Sequence, residues 1–251
     1  MAPGPRRGDE RSIPHFTTNL PDRVLYRDGL MLVIDKPAGI PVHAGPRGGA
    51  NLEAGFDALR FGLPHPPALA HRLDRDTSGC LVLGRHPKAL RRLGKLFAEG
   101  RIEKVYWAIV AGAPAEPEGT IDAPLKKETR RTGWRMEIDP AGQRAVTEYR
   151  VLASAQGQSW LELHPKTGRT HQIRVHCASL GCPVVGDPIY GGLGSEPLQL
   201  HSRAISIPLY PARAAIAVTA PPPAAMLAAL LRLGYDPTGY NFAGETGERP
   251  R

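Results

Sequence analysis

The sequence predicts an α+β fold: a mixed, mainly antiparallel central sheet with a few flanking helices. Three observations predict it. Strand-like segments outnumber helical ones, with LMLVIDK, CLVLGR, KVYWAIVAG, EYRVLA, SWLELH and LQLHSRAISI the clearest. Helical segments do not alternate regularly with them, which argues against a doubly wound parallel sheet. The 251 residues, 41% hydrophobic and 22% charged, suffice for a substantial core.

Taken in order, residues 1–22 are rich in Pro, Arg and Gly and are expected to form a flexible basic leader. Residues 23–240 are expected to form a single domain, and 241–251 a disordered tail. LMLVIDKPAGIPV predicts a buried strand ending at the Lys36-Pro37 step, which fixes the strand end near a cleft. NLEAGFDALR predicts a helix with Asn51 near its start. PKALRRLGKLFAEG predicts another, with Pro87 in its first turn and Gly100 as its stop. Its apolar face carries Leu90, Leu93, Leu96 and Phe97, leaving Arg91, Arg92 and Lys95 outside. TGRTHQIRVHCASLG predicts a helix from about Thr170, with Ile173, Cys177 and Leu180 on one face and Gly181 at its end. PPPAAMLAALLRLGY predicts a last helix closed by Gly234.

The formal net charge of +8 favours a polyanionic partner, although a basic soluble enzyme would carry the same surplus. Aromatic content of 6% argues against an extended base-stacking platform. The three cysteines, Cys80, Cys177 and Cys182, match no zinc spacing and no disulfide framework. With no apolar signal core and no run long enough to span a bilayer, a soluble cytoplasmic protein is expected. His171 and His176 are five apart, which does not align two ligands on a helix face, so no metal is expected.

The stretch HRLDRDTSG, residues 71–79, packs two arginines, two aspartates and two hydroxyls directly before the apolar CLVLGR. If extended, it places Arg72 and Asp74 on one face and Leu73 on the other. Leu73 then anchors inward while Thr77, Ser78 and Gly79 make a tight turn whose hydroxyls satisfy backbone groups. The carboxylate suits a nucleophile or base. On composition alone, a turn whose aspartate caps backbone amides is the simpler reading.

HRLDRDTSG resembles the signature of the RluA-type pseudouridine synthases. DKPAGIPVHAG, KVYWAIVAG, PKTGRTHQIRVHCASLGCPVVGDPIYGG and LQLHSRAISI resemble further segments of that family, in its order, across about residues 30–208. The resemblance implies the pseudouridine synthase fold with a central cleft, and isomerisation of uridine within RNA without a cofactor. By position, Asp74 corresponds to the catalytic aspartate, and Arg72 to the residue that helps hold the target nucleotide out of its stack. Tyr106 corresponds to the tyrosine that stacks on the uracil, and Arg174 to the cation paired with the carboxylate. That pairing makes physical sense, because a dry pocket disfavours an ionised carboxylate and a guanidinium opposes this. Only about thirty residues precede the first matching segment, too few for the S4-type domain of longer relatives, so a short form acting on ribosomal or transfer RNA is expected.

RNA capture is expected to draw on Arg75, Arg91, Arg92, Lys95 and Arg169. The run KKETRRTGWR adds Lys126, Lys127, Arg130, Arg131 and Arg135 around Trp134, either as a hairpin gripping RNA or as an ordinary charged loop. RNA is the expected partner, with no membrane or obligate protein partner, and the chain is expected to be a monomer. Two rival readings remain: a non-catalytic RNA-binding or chaperone protein on the same scaffold, and a glycosidase using Asp76 as second carboxylate.

Overall fold

The computed structural model describes residues 19–45, 48–131, 133–191 and 196–238. The expected leader through residue 18 and the expected tail lie outside the described residues. Residues 20–22 do not belong to a free leader. Leu20–Arg23 forms a 3-10 turn, and Leu20 is buried with Leu32, Leu52 and Leu59.

The strands are β1 (Val24–Arg27), β2 (Met31–Lys36), β3 (Ala68–Leu69), β4 (Ser78–Gly84), β5 (Glu103–Ala111) and β6 (Glu118–Asp122). They continue with β7 (Leu125–Arg130), β8 (Gly133–Ile138), β9 (Val146–Ala155), β10 (Gln158–Pro165), β11 (Leu200–Ile207) and β12 (Ile216–Thr219). The α-helices are α1 (Pro87–Ala98), α2 (Gln172–Ser179) and α3 (Ala224–Arg232). Among the described residues one sheet runs β1-β2-β4-β11-β5-β10-β9-β6, with β3 on β4 and β12 on β11, while β7 and β8 form a separate hairpin. Neighbours are antiparallel except β4 and β11, which run parallel from His201 beside Ser78.

The central strands read as continuous apolar runs because both faces of the sheet are covered. Alternation then sorts each strand between two cores. Met31, Val33, Cys80 and Val82 pack with Leu93 and Leu96 of α1. Leu32, Ile34, Leu81 and Leu83 face the other way, onto Leu52, Phe56, Leu59 and Leu73. Further along, Val105, Trp107 and Ile109 meet Met226 and Leu230 of α3, whereas Ala108 and Val110 meet Ile173 and Cys177 of α2.

Two helices differ from expectation. NLEAGFDALR forms a 3-10 helix over Glu53–Leu59, started as expected by Asn51, whose Oδ1 accepts the Ala54 N–H. Gly55 within it weakens the α alternative. The helix expected from Thr170 begins at Gln172 instead, because His171 is left-handed with φ +53°. No described helix is long and apolar enough to cross a membrane.

Candidate active site

Three adjacent strands assemble the site. Asp74 lies in the turn that feeds β4, β4 pairs with β11, and β11 pairs with β5, which carries Tyr106 opposite Ser202. Gly79 is required at this junction. A Cβ there would sit 2.2 Å from the Ser202 carbonyl oxygen, at φ +101°. The turn falls earlier than expected: the Thr77 N–H donates to the Asp74 carbonyl, and Ser78 already belongs to β4. The Ser78 hydroxyl pairs with His201 Nδ1 at 2.8 Å rather than with backbone. The parallel start of β11 brings that imidazole within reach.

Leu73 is 4% exposed, packed inward as the alternation argument requires. Lys36, fully buried, clamps the turn from below. Its ammonium donates to the carbonyls of Pro37, Arg75 and Thr77 at 2.8, 2.8 and 2.9 Å. Burial pulls its pKa down to about 8, with Asp76 and Asp74 opposing. The Lys36-Pro37 step thus does more than end a strand. It ties the end of β2 to the backbone that follows the catalytic candidate.

Asp74 opens into a cleft of about 480 Å³, shared with Arg72, Lys104, Tyr106, Arg169, His171 and Arg174. Burial raises the Tyr106 hydroxyl well above its usual pKa, and the Asp74 charge adds to the effect. Tyr106 therefore enters the cleft as a neutral ring.

The expected Asp74–Arg174 pair is looser than anticipated. Arg174 Nη1 is 4.0 Å from Asp74 Oδ2. Its close partner is Asp187, gripped by two parallel bonds of 2.6 and 2.7 Å. Asp187 is fully buried and also accepts the N–H groups of Ile189 and Tyr190. Burial alone would raise its pKa, but the Arg174 bonds outweigh this and lower it. The guanidinium is thus held by one carboxylate and presents its remaining edge toward another.

His171 completes this wall. Its Nε2 lies 3.9 Å from Asp74 Oδ2, and its Nδ1 bonds the Tyr190 hydroxyl at 2.9 Å. Burial lowers its pKa below the ordinary histidine value, with Asp74 opposing. Trp134 stacks on the imidazole at 5.1 Å between centroids, and Lys127 sits over the indole. The run KKETRRTGWR is therefore the β7–β8 hairpin, leaning its tryptophan against the residue beside Asp74.

The other expected RNA contacts scatter. Arg72 is exposed and lines the cleft, as does Arg169, whose Nε donates to the Arg144 carbonyl. Arg91, Arg92 and Lys95 sit on the exposed side of α1, away from the cleft lining. Arg75 bonds the Gly39 carbonyl. On the hairpin, Arg130 and Arg135 both bind Glu137, and Lys126 binds Asp139 at 3.1 Å. Arg131 is exposed. Asp76 is half exposed, 3.8 Å from Arg75, and does not line the cleft, which removes the second carboxylate a glycosidase needs.

Sequence reasoning missed Asp187, His171, Tyr190 and Lys104. Asp187 stood in plain view within GDPIY, inside the long segment singled out above. Nothing in local periodicity marks a carboxylate whose partner lies thirteen residues upstream on a helix.

The segment 30–179 matches the family model described as RNA pseudouridylate synthase. An uncharacterised RNA pseudouridine synthase of Zymomonas mobilis is 47% identical over 193 residues, which are 75% of this chain and 88% of the relative. One from Synechocystis is 37% identical over 74% of this chain, which spans only 60% of that relative's length. Among solved structures, human RNA pseudouridylate synthase domain containing 4 superposes with a TM-score of 0.72 at 28% identity. That match covers 85% of this chain and 94% of the human one. With the Asp74 turn, the Tyr106 strand and the Arg174 helix all inside the matched segment, the chain belongs to the RNA pseudouridylate synthase family of isomerases.

Proposed function

We propose that this protein converts uridine to pseudouridine in ribosomal or transfer RNA, using Asp74 as its catalytic carboxylate and no cofactor. The reaction breaks the C1′–N1 bond, turns the uracil and makes a C1′–C5 bond; C5 gives up its proton and N1 gains one, so the product is an isomer. The detached base must be retained throughout, which suits a cleft that Tyr106 can close over by stacking. Asp74 acts as nucleophile or base. Arg174, fixed by Asp187, keeps positive charge beside it. Arg72, exposed at the cleft, fills the vacancy left by the everted nucleotide, offsetting part of an extrusion cost of a few kcal/mol. Trp134 and its basic hairpin hold neighbouring RNA, with Arg169 nearer the cleft. In this reading the chain works as a monomer in the cytoplasm.

One observation carries the proposal: Asp74 opens into the same cleft as Tyr106, with the Arg174 guanidinium 4.0 Å away. The test is to incubate the protein with cellular RNA and map pseudouridine at single-nucleotide resolution. Asp74→Asn is expected to abolish product while RNA affinity stays within about threefold, because the change keeps side-chain shape. Normal turnover by that variant would refute the assignment.

A further inference from the structure

Two lysines are withdrawn from solvent beside the site, Lys36 fully and Lys104 partly, and their charges are met in different ways. Lys36 has its three N–H donors filled by three backbone carbonyls at 2.8–2.9 Å. Lys104, on β5, lines the cleft two residues before Tyr106 and on the same strand face. Its one hydrogen bond among the described residues is a long one, 3.4 Å to the Thr167 carbonyl. No described carboxylate forms an ion pair with it. Burial pulls the Lys104 pKa down to about 8, and a like charge, Lys166, adds to the effect. His71, also in the cleft wall, offers no compensation. Burial holds its imidazole neutral, with a pKa of about 3, and its Nε2 is occupied by the Val82 N–H.

A desolvated ammonium with two unfilled donors is costly to maintain. Lys36 shows how this fold satisfies such a group where the role is purely structural. Lys104 is left incomplete on the side that faces the cleft. We propose that Lys104 is an anion-binding subsite, completed by a backbone phosphate of the nucleotide that enters the cleft. This assignment rests on the RNA reading of the cleft. It names a phosphate rather than uracil because a uracil carbonyl is a neutral acceptor and leaves the charge uncompensated, whereas a phosphodiester supplies both charge and acceptor oxygens. The cleft's own carboxylate, Asp74, faces Arg174 and His171 and forms no ion pair with Lys104.

The test uses an RNA oligonucleotide spanning a uridine that the mapping experiment identifies. Binding is measured in the Asp74→Asn background, so that turnover does not intervene. Lys104→Met is expected to weaken binding about tenfold and to lower the slope of log affinity against log salt by about 0.7, one phosphate contact. Methylphosphonate groups are then placed one at a time along the RNA. At one linkage adjoining the target, the neutral group should weaken binding to Lys104 protein and make no further difference to Lys104→Met. Lys104→Arg should retain most of the affinity. Thermal stability of Lys104→Met should be unchanged or raised, because a partly desolvated charge without an ion-pair partner is removed.

Full affinity in Lys104→Met would overturn the proposal, as would penalties that add independently at every linkage. So would a loss of stability matching that of Lys36→Met, or a failure to fold, which would mark a structural lysine. If Asp74→Asn still turns over, the functional reading falls by itself, and the phosphate cycle continues to report on Lys104.

Discussion

On one side of Asp74 the chain is locked. Leu73 is buried among Leu32, Ile34 and Leu81, Lys36 ties three carbonyls around the turn, and Gly79 presses against β11 with no room for a Cβ. Behind His171, at the cleft's margin, stands the β7–β8 hairpin, paired with no strand of the main sheet among the described residues. Its strands are mostly exposed, Trp134 is 45% exposed, and its cations are met by Glu137 and Asp139 on the surface. The contrast separates two tasks. Chemistry needs a carboxylate fixed within a fraction of an ångström. Capture of a large polyanion needs charge and a stacking surface that can adjust. In the proposed reading the first falls to a tightly bonded turn and the second to the exposed ribbon. The hairpin meets the site's surroundings where Trp134 lies on His171, where the Tyr190 hydroxyl bridges the Met136 N–H and His171, and where Leu125 and Met136 pack with Val175.

The largest effect on this division should come from the buried ion pair. Asp187→Ala leaves the Arg174 guanidinium without its two closest bonds, in a site where its side chain is 6% exposed. Losing one partner of such a pair costs about 3–5 kcal/mol. Denaturant unfolding should show that loss, and activity should fall with it, since Arg174 is then free to collapse onto Asp74 or leave it. Asp187→Asn, which keeps the shape and one acceptor, should lose clearly less. Equal stability of Asp187→Ala and wild type would mean the pair is not what fixes Arg174.

Lys36→Met comes next. It removes a desolvated charge but orphans three carbonyls, for a net loss of about 1–3 kcal/mol. The turnover rate should fall with little change in KM, because only the Asp74 turn is loosened. The deficit should depend on pH. The folded pKa of Lys36 is about 8, below the unfolded value of 10.5, so the unfolded chain binds the extra proton between those values. Wild-type stability from this group therefore rises with pH across that window. The gap between wild type and Lys36→Met should widen from pH 8 to 10.5 in urea titrations, and a constant gap would contradict the buried clamp.

The two walls were unequally legible in the sequence. HRLDRDTSG announced its turn, its inward leucine and its carboxylate, because alternation and glycine chemistry are local properties. The strands that carry the site were visible for the same reason. The partners that fix it were not. Asp187 and Lys36 act through pairings between segments distant in sequence, and the shift of the turn by a few residues follows from β11 running beside β4. KKETRRTGWR showed its composition but not its target, since nothing local says that Trp134 will lie on His171. The basic side chains of α1 looked equivalent to those of the hairpin; neither set lines the cleft, and what distinguishes the hairpin is that its Trp134 lies on His171.

Trp134→Ala probes the adaptable wall. The indole is half exposed and packs on one imidazole, so folding stability should change by no more than about 0.5 kcal/mol. RNA affinity should weaken by about 1–3 kcal/mol if a base stacks on the indole, with the rate at saturating RNA nearly preserved. A variant that binds normally but turns over slowly would transfer the tryptophan from capture to catalysis, through His171.

The smallest expected effect is a gain. Glu137 binds both Arg135 and Arg130, and these contacts together with the charges of the two arginines lower its pKa, so it is an anion at neutral pH on the surface proposed to meet phosphate. Glu137→Gln keeps the size of the side chain and releases two guanidinium groups. Because exposed pairs of this kind add little to folding, the melting temperature should hold. RNA affinity at low salt should improve by about threefold and its salt dependence should steepen, since released arginines displace more counterions. The gain should vanish at high salt. If affinity fell instead, Glu137 would be orienting those arginines rather than masking them, and the hairpin would share more of the rigidity of the opposite wall than its exposure suggests.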